Sequence, residues 1–463
     1  MLHQHFTWCR LEIDARPNGR SGPLRCRHVC PGAPSHAPGR SSRGCRVSKP
    51  AWRTTIVNLG WVLGDKAFAM VAGLLVFGLI ARAFGPQGAG HFSYALAMLQ
   101  IALGLSLVCS ATAVLPRLCS MQAAMAGALA NIFTVRMAAS LVSLVVMAIF
   151  AAATVTDPMR RNVTLVMLLA VPLIEPFAII AAYWNSRNHN RPNVVARSTG
   201  LLVRLIALAA GMALGAPPWL LATTWVLEAA LNSAIQWHQL RRALPGRRFA
   251  RYVRQRRSMV YLRFGARFMV GSWLHVLYTR LDRLLLGERL SSDNFGLYAV
   301  AMQLLDVWVQ VASLVALSMS TAFLYRLIRE GAAMRALLLG AAAMAAIGLL
   351  GVLGAWWLGP WMLRIVFGPQ FLGSQPYLVA AMAVGVLLFV NQVVTITLAT
   401  LNRPALIAML WGVSVLVTAL VVVLGVDSVG AMIGPIAMAT GLLTGWLTLI
   451  VVLLCFRPRA DAA

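Results

Sequence analysis

The chain has 463 residues, 60% hydrophobic and 11% charged, with 40 Lys and Arg against 13 Asp and Glu and a net charge of +27. Apolar runs fill most of that length, so a large soluble catalytic domain is excluded. The excess positive charge is concentrated in an N-terminal stretch and in the breaks between apolar runs, which argues against nucleic acid as a partner.

Residues 1–50 are rich in Arg, Pro, Gly and Ser and hold no apolar run, so they form neither a signal peptide nor a core. They read as a disordered basic tail, or as the product of a start codon placed too far upstream. Cys9, Cys26, Cys30 and Cys45 lie there beside His28 and His36, but the spacing fits no standard zinc pattern. No metal and no cofactor is expected. Cys109, Cys119 and Cys455 sit in or beside apolar runs and read as packing residues.

Twelve apolar runs follow, at 56–82, 93–116, 124–150, 163–184, 193–214, 219–240, 265–287, 296–322, 332–355, 374–399, 404–425 and 429–455. Each reaches the ~20 residues needed to cross a hydrocarbon core roughly 30 Å thick at about 1.5 Å per residue. The expected fold is an all-α polytopic membrane protein of about 12 transmembrane helices. Its expected division is a tail over 1–50, a six-helix half over 51–240, a basic linker over 241–264, a second six-helix half over 265–457 and a short tail over 458–463.

With the N-terminus placed inside, 30 of the 40 Lys and Arg fall on the inner side. Arg82, Arg160, Arg161, Arg289 and Arg364 fall outside, and Lys66, Arg136, Arg204, Arg280 and Arg283 lie within runs. This bias is the positive-inside pattern; it puts both termini in the cytoplasm and the basic surface against anionic lipid headgroups. The expected location is a bacterial inner membrane, crossed many times.

An internal repeat supports the two halves. Asn190-Arg191-Pro192 opens the fifth run and Asn402-Arg403-Pro404 the eleventh, 212 residues apart. Gly90-His91-Phe92-Ser93-Tyr94-Ala95 and Gly296-Leu297-Tyr298-Ala299-Val300-Ala301 open the second and eighth, 206 apart. An even number of spans per half makes the repeat parallel, around a central cavity. Phe84-Gly85-Pro86-Gln87 recurs as Phe367-Gly368-Pro369-Gln370, out of that register, and reads as turn chemistry.

Charges inside hydrocarbon are expensive and mark candidate sites. Lys66 and Arg204 lie roughly 15 Å into their runs and are expected to line a polar cavity. Glu175 or Glu228 would neutralise Arg136 or Arg204 between helices, or else Asp65, Glu175, Glu228 and Asp306 carry a coupling ion. Asp65 and Lys66 are consecutive, point about 100° apart and need separate partners. Pro172, Pro176, Pro360, Pro376 and Pro435 suggest helix breaks. Trp356, Trp357 and Trp361 read as an interfacial belt. No GxSxG, HExxH or Walker-A pattern is present, so transport without ATP hydrolysis fits better than catalysis.

Asn58-Leu59-Gly60-Trp61 with Lys66, then Ile80-Ala81-Arg82-Ala83-Phe84-Gly85-Pro86-Gln87-Gly88-Ala89-Gly90, resembles the opening of Wzx-type polysaccharide flippases. Leu277-Tyr278-Thr279-Arg280-Leu281-Asp282, Asn294-Phe295-Gly296-Leu297-Tyr298 and Phe367-Gly368-Pro369-Gln370-Phe371 resemble later segments of that family, over about 51–457 in all. The resemblance implies the multidrug/oligosaccharidyl-lipid/polysaccharide exporter superfamily. It also implies passage of undecaprenyl-pyrophosphate-linked oligosaccharide between leaflets by alternating access. Lys66, Arg204 and Arg280 would meet the pyrophosphate, with Arg82 and Arg267 at the cavity mouths. A polysaccharide polymerase and glycosyltransferases would be partners in the pathway. The alternatives are a cation-coupled drug antiporter using Glu175, Glu228 or Asp306, a membrane-embedded glycosyltransferase or ligase, and a non-transporting scaffold.

Overall fold

The computed structural model describes residues 52–108, 125–187, 189–244, 252–253 and 255–455. The N-terminal cysteines and basic tail, with Cys109, Cys119 and most of the expected linker, lie outside these residues. Among the described residues the chain is helical and holds no strand.

The first helix, α1 (Trp52–Ser106), is 55 residues long, about 80 Å at 1.5 Å per residue, too long for one crossing. It bends at Gly85, whose φ of 65° and ψ of −165° occupy a region essentially closed to side chains. Pro86 then restarts the helix, so α1 contains the first expected span and the start of the second, which ends outside the described residues. Next come α2 (Met125–Thr154), α3 (Pro158–Leu168), α4 (Val171–Ile174) and α5 (Ala178–Ser186). The last three make up the fourth expected span, broken around Pro172 and Pro176 because proline removes a backbone donor and clashes with the preceding turn. Then follow α6 (Arg191–Ala213) and α7 (Pro218–Ala243).

The second group begins with α8 (Gln255–Arg289), which extends well into the expected linker, and α9 (Ser292–Met319). A π-helical turn, Ser320–Leu324, leads into α10 (Tyr325–Arg329). Helix α11 (Ala333–Val366) runs through Pro360 without a break, contrary to the sequence expectation. The bond forfeited there is to the carbonyl of Trp356, a residue that is itself 72% exposed. A 3₁₀ turn, Pro369–Ser374, precedes α12 (Gln375–Thr400), and α13 (Pro404–Val429) leads through a bend at Gly430 into α14 (Ile433–Cys455). Pro376 and Pro435 sit at helix starts, where a missing N–H costs nothing.

Eight described runs are long and apolar enough to cross a membrane, against twelve expected. Two of them, Gly60–Ser106 and Pro404–Cys455, are bent and take in residues of two expected spans each. Helices α7 and α8 fall below the measure because Glu228, Asn232, Gln236 and a series of arginines interrupt their apolar character.

The two groups meet at the ends remote from the basic loops, which the charge bias predicts to be the outer ends. There the two repeated motifs pack against each other. A Cβ on Gly296 would lie 1.8 Å from the carbonyl oxygen of Pro86, so only glycine permits this approach, and one on Gly90 would press on the Phe295 ring at 3.1 Å. The two FGPQ turns are also neighbours. Gly368 has φ 112°, Gln370 Nε2 donates to the Ala81 carbonyl at 3.3 Å, and Phe77 meets Phe367 edge-on. One apolar core links both groups through Phe77, Tyr94, Tyr278, Tyr298 and Phe371.

Candidate functional site: intramembrane charges and an outer seal

Helix spacing sets which charges meet. Arg204 on α6 is 8% exposed, and its Nη1 lies 2.5 Å from Glu228 Oε2 on the antiparallel α7. The guanidinium also stacks over the Trp225 ring, 4.6 Å from its centroid. Arg136 on α2 is buried and pairs with Glu175, which lies between α4 and α5, at 3.2 Å. The same nitrogen donates to the Glu175 carbonyl at 3.1 Å. The break in the fourth span is what frees that carbonyl for a side-chain donor.

In the second group Arg280 and Arg283 of α8 converge on one acid. Asp306 Oδ2 on α9 takes Arg280 Nη1 at 2.6 Å and Arg283 Nη2 at 2.8 Å. Between them Asp282 is fully buried, accepting a hydrogen bond from Tyr298 at 2.5 Å. Two cations and two acids therefore balance within two helical turns.

Asp65 on α1 pairs with Arg197 on α6 at 3.2 Å. Lys66, the next residue, is half-buried and has no hydrogen bond or ion pair among the described residues. All four acids proposed for ion coupling, Asp65, Glu175, Glu228 and Asp306, are thus engaged by arginine. Of the five cations proposed for cargo, Arg204 and Arg280 are engaged by acids, and Arg267 lies on α8 with its side chain outside those described. Arg82 caps the end of α11, its Nε donating to the Val366 carbonyl at 3.1 Å and its Nη2 to that of Ile365.

The outer seal centres on Arg160 of α3, which is 4% exposed. Its Nη1 lies 3.0 Å from Glu288 Oε1 on α8 and also donates to the Gly287 carbonyl. Its guanidinium is sandwiched between Tyr94 and Phe295, 5.4 and 5.7 Å from the ring centroids. Glu288 accepts in turn from the Thr156 hydroxyl at 3.2 Å. Asp157 caps α3 by accepting from the Met159 and Arg160 amides at 2.8 and 3.3 Å, and its other oxygen lies 2.9 Å from His91 Nε2. Burial raises the Asp157 carboxyl, but the Arg160 amide, His91 and the Met159 amide outweigh it and hold the group below the usual carboxylate value. Arg160 and Arg161 read from sequence only as outside charges. That Arg160 and Glu288 carry opposite charges at the outer ends of different halves is the one signal that could have paired them.

Helices long enough to span a bilayer, bent at glycines and held by paired intramembrane charges, define a polytopic α-helical membrane protein with a transporter fold. The polysaccharide biosynthesis protein family matches residues 79–376, and the chain belongs to that family. The lipid II flippase MurJ in its inward closed conformation shares the fold with a TM-score of 0.67 at 12% identity, over 86% of this chain and 87% of that one. An inward-facing multidrug resistance transporter of the MATE family and MOP superfamily has a TM-score of 0.60 at 13% identity, over 88% and 100% of the two chains. The eukaryotic MATE transporter AtDTX14 has a TM-score of 0.58 at 11% identity, over 86% and 95%. Sequence comparison with curated proteins finds no match. The chain is a multi-pass membrane protein of the polysaccharide biosynthesis protein family, and it shares its fold with structures named as a lipid II flippase and as multidrug transporters.

Proposed function

We propose that the protein is a flippase for undecaprenyl-pyrophosphate-linked oligosaccharide, moving it from the cytoplasmic to the periplasmic leaflet of a bacterial inner membrane by alternating access. The observation that carries the cargo reading is Lys66. It lies deep in the first span with no partner among the described residues, while Arg136, Arg204, Arg280 and Arg283 are each matched by an acid. An unpaired cation at that depth costs at least about 2.5 kcal/mol on insertion scales, and a pyrophosphate would offset it. Arg204 and Arg280 would join it only by exchanging their acids for phosphate oxygens, which suits a reversible cycle. Arg82 and Arg267 would stand at the two mouths. O-antigen or exopolysaccharide assembly, with its polymerase and glycosyltransferases, is the pathway this cargo serves.

A closed outer end, with Arg160 on Glu288 and Arg82 on α11, corresponds to a cavity opening toward the cytoplasm. The matched multidrug transporter titled as inward-facing supports that reading. A drug antiporter, the second reading, needs an acid free for its coupling ion, and each candidate acid is engaged by arginine. Reconstituted protein given lipid-linked oligosaccharide in one leaflet is expected to expose it in the other. Efflux of cationic dyes with no glycolipid movement would favour the antiporter instead.

A further inference from the structure

Between α1 and α6 lies a cleft of about 370 Å³ lined by Val57, Gly60, Trp61, Gly64, Asp65, Val194 and Ser198. That volume falls in the lower part of the range of small-molecule sites, roughly 300–1,000 Å³. Positions 57, 60, 61, 64 and 65 follow the spacing of a single helical face. Lys66 lies about 170° from the centre of that face, on the opposite side of the helix. A Cβ on Gly60 or on Gly64 would meet nothing within 4 Å, so these glycines leave open floor rather than seat a neighbouring helix. Trp61 is 40% exposed beside that floor. Asp65 uses Oδ2 on Arg197, while its Oδ1 is buried and has no hydrogen-bond partner among the described residues.

The chemistry of this wall is specific. The Asp65–Arg197 pair is neutral overall and offers little to a phosphate. Its free carboxylate oxygen accepts from a hydroxyl, and the Ser198 hydroxyl both donates and accepts. An indole ring covers an apolar C–H face while its N–H stays available. An apolar floor, one aromatic wall and a few fixed donors and acceptors match a sugar ring better than an anion or an acyl chain. We infer that this cleft is a sugar subsite, holding one ring of the lipid-linked glycan. The inference rests on the flippase reading.

The test measures binding of two lipids to the full chain in nanodiscs: undecaprenyl pyrophosphate without a glycan, and lipid-linked oligosaccharide extracted from the source membrane. The ratio of their dissociation constants isolates the glycan. In the wild type the glycan is expected to tighten binding about tenfold, the equivalent of 1.4 kcal/mol. Trp61→Ala brings that ratio close to one while changing affinity for the glycan-free lipid less than about twofold. Trp61→Phe, which keeps an aromatic wall, retains most of the ratio, and Lys66→Ala weakens both lipids alike. A wild-type ratio near one, or a ratio untouched by Trp61→Ala, overturns the sugar subsite and leaves the flippase reading standing. Failure of the wild type to bind either lipid overturns both.

Discussion

Arg160 and Glu288 lie 128 residues apart in the sequence, in different halves of the chain, and their side chains meet at 3.0 Å. Arg160 is 4% exposed and stacked between two aromatic rings, so little water competes for the contact. A pair of this kind holds while both partners are present and becomes costly when one is lost. In an alternating-access cycle it must separate whenever the outer end opens.

Glu288→Gln is therefore expected to favour the outward-open form. Hydrogen–deuterium exchange should rise at the outer ends, over residues 84–92, 156–161 and 287–297. Arg160→Ala should do the same, with loss of stability of about 3–5 kcal/mol because Glu288 is left uncompensated. Unchanged exchange in Glu288→Gln would show that the glycine contacts alone keep the outer end shut.

The Arg204–Glu228 pair separates structural from transport roles. Arg204→Ala leaves the half-buried Glu228 carboxylate without its partner and is expected to cost about 3 kcal/mol, read as a lowered thermal midpoint in detergent. Arg204→Met with Glu228→Leu restores an apolar contact and should recover most of that stability. If Arg204 also exchanges its acid for phosphate, the stable double variant stays slow in transport. Full transport would make Arg204 structural only.

Gly85 and Gly368 have φ of 65° and 112°, with ψ near ±165°, where side chains are strained by about 1–3 kcal/mol. Alanine at either position should lower the melting temperature. Gly60→Ala, whose new Cβ meets nothing within 4 Å, should be tolerated much better.

Asp157 gives a pH signature. Its carboxyl in the folded protein is held below the ordinary value, so its contribution is present above the unfolded value and is lost as pH falls through the folded one. Acid unfolding below about pH 4 should therefore be flattened in Asp157→Asn. That variant should also lose about 1 kcal/mol at neutral pH, because the amide is a weaker cap in this ionic setting. An acid limb identical to wild type would show that other carboxylates set it.

Helix positions were legible because hydrocarbon demands long apolar runs and breaks stand out against them. The Gly85-Pro86 and Gly368-Pro369 turns were legible for a local reason: glycine reaches backbone that other residues avoid, and proline restarts a helix. Partners across the fold were not. Nothing local to Arg82 says that it caps carbonyls 283 and 284 residues away. Glu175 was a candidate partner for Arg136, but the freed carbonyl beside it depends on how a proline-broken helix settles. Pro360 misled because a proline near the exposed outer end of a helix can be carried without a break. Asp282 escaped the candidate set of acids because the arginines flanking it in sequence, Arg280 and Arg283, turn to Asp306 instead.

Lys66 carries the central claim, and a flipping assay in proteoliposomes tests it most directly. Lipid-linked oligosaccharide is loaded in one leaflet, and its arrival in the other is followed with a membrane-impermeant glycan probe. The account predicts transport by the wild type, at least a tenfold slower rate in Lys66→Ala despite normal insertion, and substantial recovery in Lys66→Arg, which restores the charge. Wild-type rates in Lys66→Ala, with the protein folded and inserted, would contradict it.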